Sequence, residues 1–241
     1  MFINYAHRGA SAYAPENTMA AFELGVRMGA NGIELDLQQT RDGTIVLFHD
    51  AEIDRKSNGS GTIGEHTYAQ LRELDFGGWF HASFQGERIV RFEDFAQTFA
   101  RRDLTFAVEL KGAGFEREAL ETVRRYFDLN RVYITSFSYE ALRRVRALDG
   151  AIRLSWLIRE RIDEGCLQEL REIRGSQICP SARNVTEADV ELARARGVGV
   201  RLWGVSDEEV MRRTFPLHTE GMTVNFPDKL KALMDGQTGR R

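Results

Sequence analysis

The chain has 241 residues, 42% of them hydrophobic and 29% charged, which is the composition of an ordinary globular protein long enough for one sizeable core. Its net charge is -3, from 36 acidic and 33 basic residues, and that balance argues against a general nucleic-acid-binding surface. No apolar stretch approaches the roughly 20 residues needed to span a bilayer.

The N-terminus lacks a basic region followed by an apolar run, so no signal peptide is expected, and the expected setting is cytoplasmic without stable membrane association. Cys166 and Cys179 show no metal-type spacing and are expected as reduced thiols.

In chain order, "FINYA" (2–6) reads as a strand running into His7-Arg8-Gly9. A helix is predicted over 17–28, with Ala20, Ala21, Leu24 and Met28 on one face. The strand "GIELD" (32–36) follows, then an Asp42-Gly43 turn signal and the apolar run "TIVLFH" (44–49). Residues 51–90 break the rhythm: "NGSGTIGEHT" is turn-rich, 66–74 reads as a short helix, and "DFGGWFHASFQGE" is rich in glycine and aromatics. This segment is expected to be a small insertion without a strand of its own.

After a helix over 92–101, strands are predicted at 105–110, 132–135, 152–157, 177–180, 198–203 and 221–224. Helical patterns fall between them near 115–127, 138–148, 163–173, 186–196 and 207–214, with a last one near 227–235 and a disordered tail "GQTGRR".

Strands alternating with helices point to a parallel α/β fold, but nine strands is one too many for a (β/α)8 barrel. A parallel crossover needs about a dozen residues or more, and only a handful separate Asp36 from Thr44. Residues 44–49 must therefore return antiparallel, as a hairpin from the second strand. Eight parallel strands remain. The expected architecture is a single TIM (β/α)8 barrel domain over 1–241, with a small rim insertion at 51–90 after the second-strand hairpin.

Active sites of such barrels lie where the strands end. His7 ends the first strand, Glu34 and Asp36 the second, and Glu109 with Lys111 the third, and the hairpin returns His49 to the same rim. Strand period two puts Glu34 with Asp36, and Glu109 with Lys111, on one face. Three carboxylates gathered without a counter-charge repel one another and resist desolvation, so a cation is expected. All-oxygen ligation suits Mg²⁺ or Ca²⁺. With two histidines, Arg8 and Lys111 beside it, such an ion describes a site for a phosphorylated substrate, with the histidines as a general acid/base pair. That arrangement suits cleavage of a phosphodiester.

"HRGASAYAPENT", "IELDLQQTRDGTIVLFHD", "NGSGTIGEHTYAQLRELDFGGWF", "VELK" and "LWGVSDEEVMRR" together make the chain resemble the glycerophosphodiester phosphodiesterase family over essentially its whole length. The resemblance implies a TIM barrel with a small insertion, and divalent-metal-dependent hydrolysis of glycerophosphodiesters to glycerol 3-phosphate and an alcohol. It implies that His7 and His49 are the catalytic pair and that Glu34, Asp36 and Glu109 are metal ligands. It further implies that Arg8 and Lys111 bind phosphate, and that Glu16 supports the metal shell or orients Arg8. It also implies a route in which the glycerol 2-hydroxyl attacks phosphorus and water opens the cyclic product. Which histidine is the base stays open, as do the preferred head group, the physiological metal and the oligomeric state.

Asn17 is placed either to cap the following helix or to serve the site. Trp203, ending a strand at the active face, is positioned to pack against glycerol carbons. Trp79 and Phe80 are expected to anchor the insertion to the barrel, and His66, His81 and His218 to face solvent. The chain departs from the usual pattern at Val90-Arg91, Val224-Asn225, Gly204 and Ser206. These departures are expected around the barrel mouth, away from the core catalytic positions. The competing readings are a relative that stops at the cyclic phosphate and a non-catalytic phospho-ligand binder.

Overall fold

A computed structural model describes residues 1–238. Its strands are β1 (Ile3–His7), β2 (Gly32–Gln39), β3 (Ile45–Leu47), β4 (Val90–Arg91), β5 (Thr105–Leu110), β6 (Val132–Ser136), β7 (Arg153–Leu157), β8 (Gln177–Cys179), β9 (Gly199–Val205) and β10 (Gly221–Val224). Leaving out β3 and β4, the other eight form a parallel ring in the order β1-β10-β9-β8-β7-β6-β5-β2, closed by pairing of β1 with β2. The barrel is the expected (β/α)8 fold.

Around it run α1 (Met19–Arg27), α2 (Tyr68–Arg72), α3 (Phe92–Phe99), α4 (Glu116–Tyr126), α5 (Tyr139–Leu148), α6 (Glu164–Glu172), α7 (Glu187–Ala195), α8 (Glu208–Thr214) and α9 (Pro227–Thr238). The short α2 belongs to the insertion rather than to the outer ring. Side-chain oxygens of Thr18, Ser138, Asp163, Thr186 and Asp207 accept from the third backbone N–H of α1, α5, α6, α7 and α8. Each such cap contributes about 1 kcal/mol and marks where a strand-to-helix loop ends.

Period two along β2 sends Ile33, Leu35 and Leu37 outward into the layer between strands and helices. There they join Phe22, Phe95, Phe99 and Phe106, with Phe22 edge-on to Phe95 at 4.8 Å. Burial of each such side chain contributes about 1.5–3 kcal/mol. The alternate residues, Glu34 and Asp36, point into the barrel and are buried.

The hairpin forms as expected, with Leu37 opposite Leu47 and Gln39 opposite Ile45 in antiparallel register. The insertion differs in three respects. It closes with a short strand, β4, which pairs antiparallel with β3 through Val46–Arg91 and Leu47–Val90. Its helix is shorter than 66–74 and is preceded by a 3₁₀ turn at Ile63–Glu65. Its anchor is not Trp79, which is 41% exposed and donates its indole N–H to the Phe76 carbonyl; Phe80 stacks edge-on against Trp79 and Phe84. The anchoring falls instead to a separate apolar cluster of Val46, Phe48, Ile53, Ile63, Leu71, Phe76 and Ile89.

Val90 is buried and Arg91 pairs with Asp94 at the start of α3, so this departure serves β4 rather than the mouth. Helix α9 continues through Thr238, past the expected end at 235 and into the stretch expected to be disordered; positions 239–241 of that tail lie outside the described residues. His81 and His218 are exposed, while His66 is half-buried with Nδ1 2.8 Å from the Thr62 carbonyl. Among the described residues no helix is long and apolar enough to cross a membrane.

Candidate active site

The ring of strands sets His7 beside Glu34 across β1–β2, and Asp36 beside Glu109 across β2–β5. One carboxylate oxygen from each of Glu34, Asp36 and Glu109 lies within 4.8 Å of the other two, and all three residues are buried. Burial pushes the Glu34 carboxyl well above its ordinary range, and Asp36 adds to the rise. Burial and Asp36 likewise push Glu109 up, to about 7. Asp36 is held down: burial opposes its ionisation, but Arg8, His49 and Lys111 together outweigh that cost. One Asp36 oxygen, Oδ1, is buried with no hydrogen-bond partner. Crowded carboxylates that resist joint ionisation, with an orphaned oxygen among them, fit a hard divalent cation.

Three basic side chains surround this cluster. Arg8 Nε lies 3.0 Å from Asp36 Oδ2, and Lys111 Nζ lies 3.0 Å from Glu109 Oε1 and 3.9 Å from Asp36 Oδ1. The third, Arg201, points into the barrel from β9 and is 1% exposed. It donates to Thr223 Oγ1 at 2.6 Å and to Gln177 and Thr135 at 3.3 Å, with its guanidinium over the Tyr5 ring. "VGVRLW" reads as an ordinary buried strand, and only the inward phase of its arginine hints at this role.

The His-Arg-Gly element has a steric basis. Arg8 and Gly9 both take left-handed backbone conformations, φ 55° and 86°, and a Cβ on Gly9 would meet the Ala21 backbone at 2.4 Å. The turn directs the Arg8 N–H at the Glu34 carbonyl, 2.9 Å away, while Arg8 Nη1 donates to Glu16 Oε1 at 3.1 Å. Asn17 does not cap α1; Thr18 does. Asn17, also left-handed at φ 58°, donates from Nδ2 to Asp36 Oδ2 at 3.0 Å.

The antiparallel return brings the Phe48 N–H to the Asp36 carbonyl at 3.0 Å, which sets the adjacent His49 at the mouth beside the carboxylates. His49 Nδ1 lies 2.8 Å from Asp50 Oδ1. Lys56, from the insertion, bridges Asp50 Oδ2 at 3.0 Å and Glu16 Oε1 at 2.7 Å. A charged chain therefore runs Asp36–Arg8–Glu16–Lys56–Asp50–His49. Glu16, His49 and Asp50 also come within metal-binding distance of one another, but the Lys56 ammonium already occupies the space between their oxygens.

His7 carries a feature that "Val-Asn" at 224–225 did not signal. Its Nδ1 lies 2.6 Å from Asn225 Oδ1, and its Nε2 lies 3.8 Å from Glu34 Oε2. Expected at the rim away from catalysis, Asn225 instead touches one of the two histidines. Burial, together with Arg8, holds the His7 imidazole well below its ordinary pKa. Burial also lowers His49, with Asp36 and Asp50 opposing that shift.

Trp203 stands apart from the charged chain. Its indole donates to the Ile158 carbonyl at 3.0 Å and its ring packs edge-on to Phe137 at 5.0 Å, with Arg159 over Phe137 at 4.3 Å. Gly204, at φ 69°, follows it within the last residues of β9, and Ser206, bonded to Asp207, lies at the β9–α8 junction.

Residues 7–229 match the model of the glycerophosphoryl diester phosphodiesterase family. A glycerophosphodiester phosphodiesterase of Caldanaerobacter subterraneus is 32% identical over 230 residues, covering 93% of this chain and 94% of that protein. A phosphodiesterase of Oleispira antarctica, solved in complex with its product sn-glycerol-3-phosphate, superposes with a TM-score of 0.89 at 25% identity, over 96% of each chain. A glycerophosphodiester phosphodiesterase of Agrobacterium tumefaciens superposes with a TM-score of 0.85 at 26% identity, over 96% of this chain and all of that one. The chain belongs to the glycerophosphoryl diester phosphodiesterase family.

Proposed function

We propose that the protein hydrolyses small-molecule glycerophosphodiesters to glycerol 3-phosphate and an alcohol, as a metal-dependent phosphodiesterase whose barrel carries residues 51–90 as part of its rim. One observation carries the reading: three buried carboxylates with oxygens within 4.8 Å of one another, set among histidines and basic groups at the strand ends. Glu34, Asp36 and Glu109 would hold the ion, Mg²⁺ or Ca²⁺. When bound, it supplies electrostatic stabilisation of charge on the phosphoryl oxygens.

The chain's own residues do the rest. Arg8 and Lys111 attract and orient the phosphate, with Glu16 holding Arg8 in place. Trp203 offers its ring to the glycerol carbons. One histidine of the His7–His49 pair takes the proton of the glycerol 2-hydroxyl as its oxygen bonds to phosphorus. The other gives a proton to the alcohol oxygen as the ester bond breaks. In the second half the roles reverse: water loses a proton as it adds to phosphorus, and the 2-hydroxyl regains one as the cyclic ester opens. Each proton transfer is worth roughly 10²–10⁴-fold.

The test is an assay of the choline, ethanolamine, inositol and glycerol esters with Mg²⁺, Ca²⁺ or chelator, the products followed by phosphorus NMR. Hydrolysis should disappear in chelator, and His49→Ala should lower turnover by roughly 10²–10⁴-fold. Full activity in chelator would remove the metal from the reading, and unchanged turnover in His49→Ala would remove the acid/base role. A cyclic phosphate that persists would overturn hydrolysis in favour of a reaction ending at the first step.

A further inference from the structure

The two histidines are held by different groups. His49 Nδ1 faces a carboxylate, Asp50 Oδ1 at 2.8 Å, whereas His7 Nδ1 faces a neutral amide oxygen, Asn225 Oδ1 at 2.6 Å. We infer that Asn225 is a positioning residue that fixes the tautomer and ring plane of His7, an inference that rests on the proposed acid/base role of that histidine.

Closure of the barrel brings the two residues together. β10 lies parallel to β1 with Val224 opposite Ala6, so the next residue on each strand brings Asn225 level with His7, 218 positions apart in the chain. The Asn225 backbone is itself held there, because its carbonyl accepts the Ala12 N–H at 3.0 Å. Ala12 lies in the same first strand-to-helix loop as Arg8. The contact therefore ties the last barrel strand to the loop that carries the phosphate-side arginine.

An amide oxygen has lone pairs and no proton, so it can only accept. With Oδ1 on Nδ1, the proton of the neutral imidazole must sit on Nδ1, and Nε2 carries the free lone pair. Nε2 is the atom that faces the carboxylate cluster, 3.8 Å from Glu34 Oε2. The amide thus presents the accepting nitrogen to the reaction and turns the N–H away from it. The opposite tautomer would place an N–H where a proton has to be received. Its Nδ1 lone pair would then face an oxygen at 2.6 Å, which is repulsive. Because the amide is neutral, it orients the ring without adding a carboxylate to a mouth that already gathers several.

The test uses the 241-residue chain loaded with Mg²⁺, read by ring chemical shifts, steady-state kinetics and melting temperature. Ring ¹⁵N shifts of His7, assigned by comparison with His7→Ala, report which nitrogen is protonated. The Asn225→Ala and Asn225→Asp variants are compared for kcat, KM and melting temperature. Wild type should show the Nδ1–H tautomer. Asn225→Ala should mix the tautomers and lower kcat by roughly 10–100-fold, with KM moving less than about threefold. Asn225→Asp, which keeps the acceptor, should restore the Nδ1–H tautomer and recover kcat to within about tenfold of wild type. An Nε2–H signal in wild type would overturn the inference. So would Asn225→Ala turnover within about twofold of wild type, or an Asp variant as impaired as the Ala variant. If Asn225→Ala does not fold, the wild-type tautomer and the Asp variant still decide. If wild type hydrolyses no glycerophosphodiester, the functional reading fails, while the ring shifts continue to test the contact on their own.

Discussion

Asp50 serves His49 through Oδ1 and Lys56 through Oδ2. Burial pushes its carboxyl up, but the bonds to His49 and Lys56 outweigh that and hold it at about 2, below the ordinary 3.8. A depressed carboxyl contributes its full stability above the unfolded value and loses it as pH falls through the folded one. The window is therefore about pH 4 down to about 2. Asp50→Asn should cost about 2 kcal/mol at pH 7 and flatten the acid side of the stability profile; urea unfolding at a series of pH values measures both, and an unchanged acid slope would count against it. The His49-Asp50 pair is legible in the chain because its members are adjacent. Lys56 is not, since its partner Glu16 lies 40 positions away and nothing in "DRKSNG" distinguishes a bridging lysine from a solvated one.

At the scale of elements, the hairpin and the insertion act together. Phe76 is buried in the insertion's own apolar cluster and packs edge-on to Phe48 at 5.8 Å, next in sequence to His49. Phe76→Ala should cost about 3–5 kcal/mol locally and lower kcat by loosening the support of His49. Hydrogen exchange should quicken at the Ile53 and Phe76 amides, which bond to Gly61 and Glu87, and stay slow in β5 and β6. A quickened insertion with unchanged kcat would separate the two elements. The hairpin was readable from its Asp-Gly turn and from the crossover length that forbids a parallel strand. The anchor was not, because a turn-rich segment has no period to say which aromatic faces inward; "GGWF" suggested Trp79, whereas Phe76 is buried and Trp79 is 41% exposed.

The whole barrel converges on carboxylates that resist ionising together, and this gives the metal-free protein a distinctive pH response. Burial and Asp36 raise Glu109 to about 7, and burial raises Glu34 as well. A carboxyl that holds its proton above the unfolded value of 4.5 contributes its full stability below that value and loses it as pH rises through the folded one. His7 and His49, held below their ordinary 6.5, act with the opposite sign and offset this loss at lower pH. In chelator, the melting temperature should therefore fall from about pH 6.5 to 8, and added Mg²⁺ or Ca²⁺ should restore it more at the upper end than at the lower; a chelated protein equally stable across that range would contradict the arrangement. By itself the sequence determined the alternation of strands and helices, the antiparallel return, and which ionisable residues end which strands. Those follow from periods of 2 and 3.6 residues, turn chemistry and crossover length, all of them local. Only the tertiary structure decided that Asn225 meets His7, that Lys56 bridges Glu16 and Asp50, and that Arg201 lies buried beneath the carboxylates. Those contacts depend on which strand closes the ring and on where long side chains point, and no local pattern carries either.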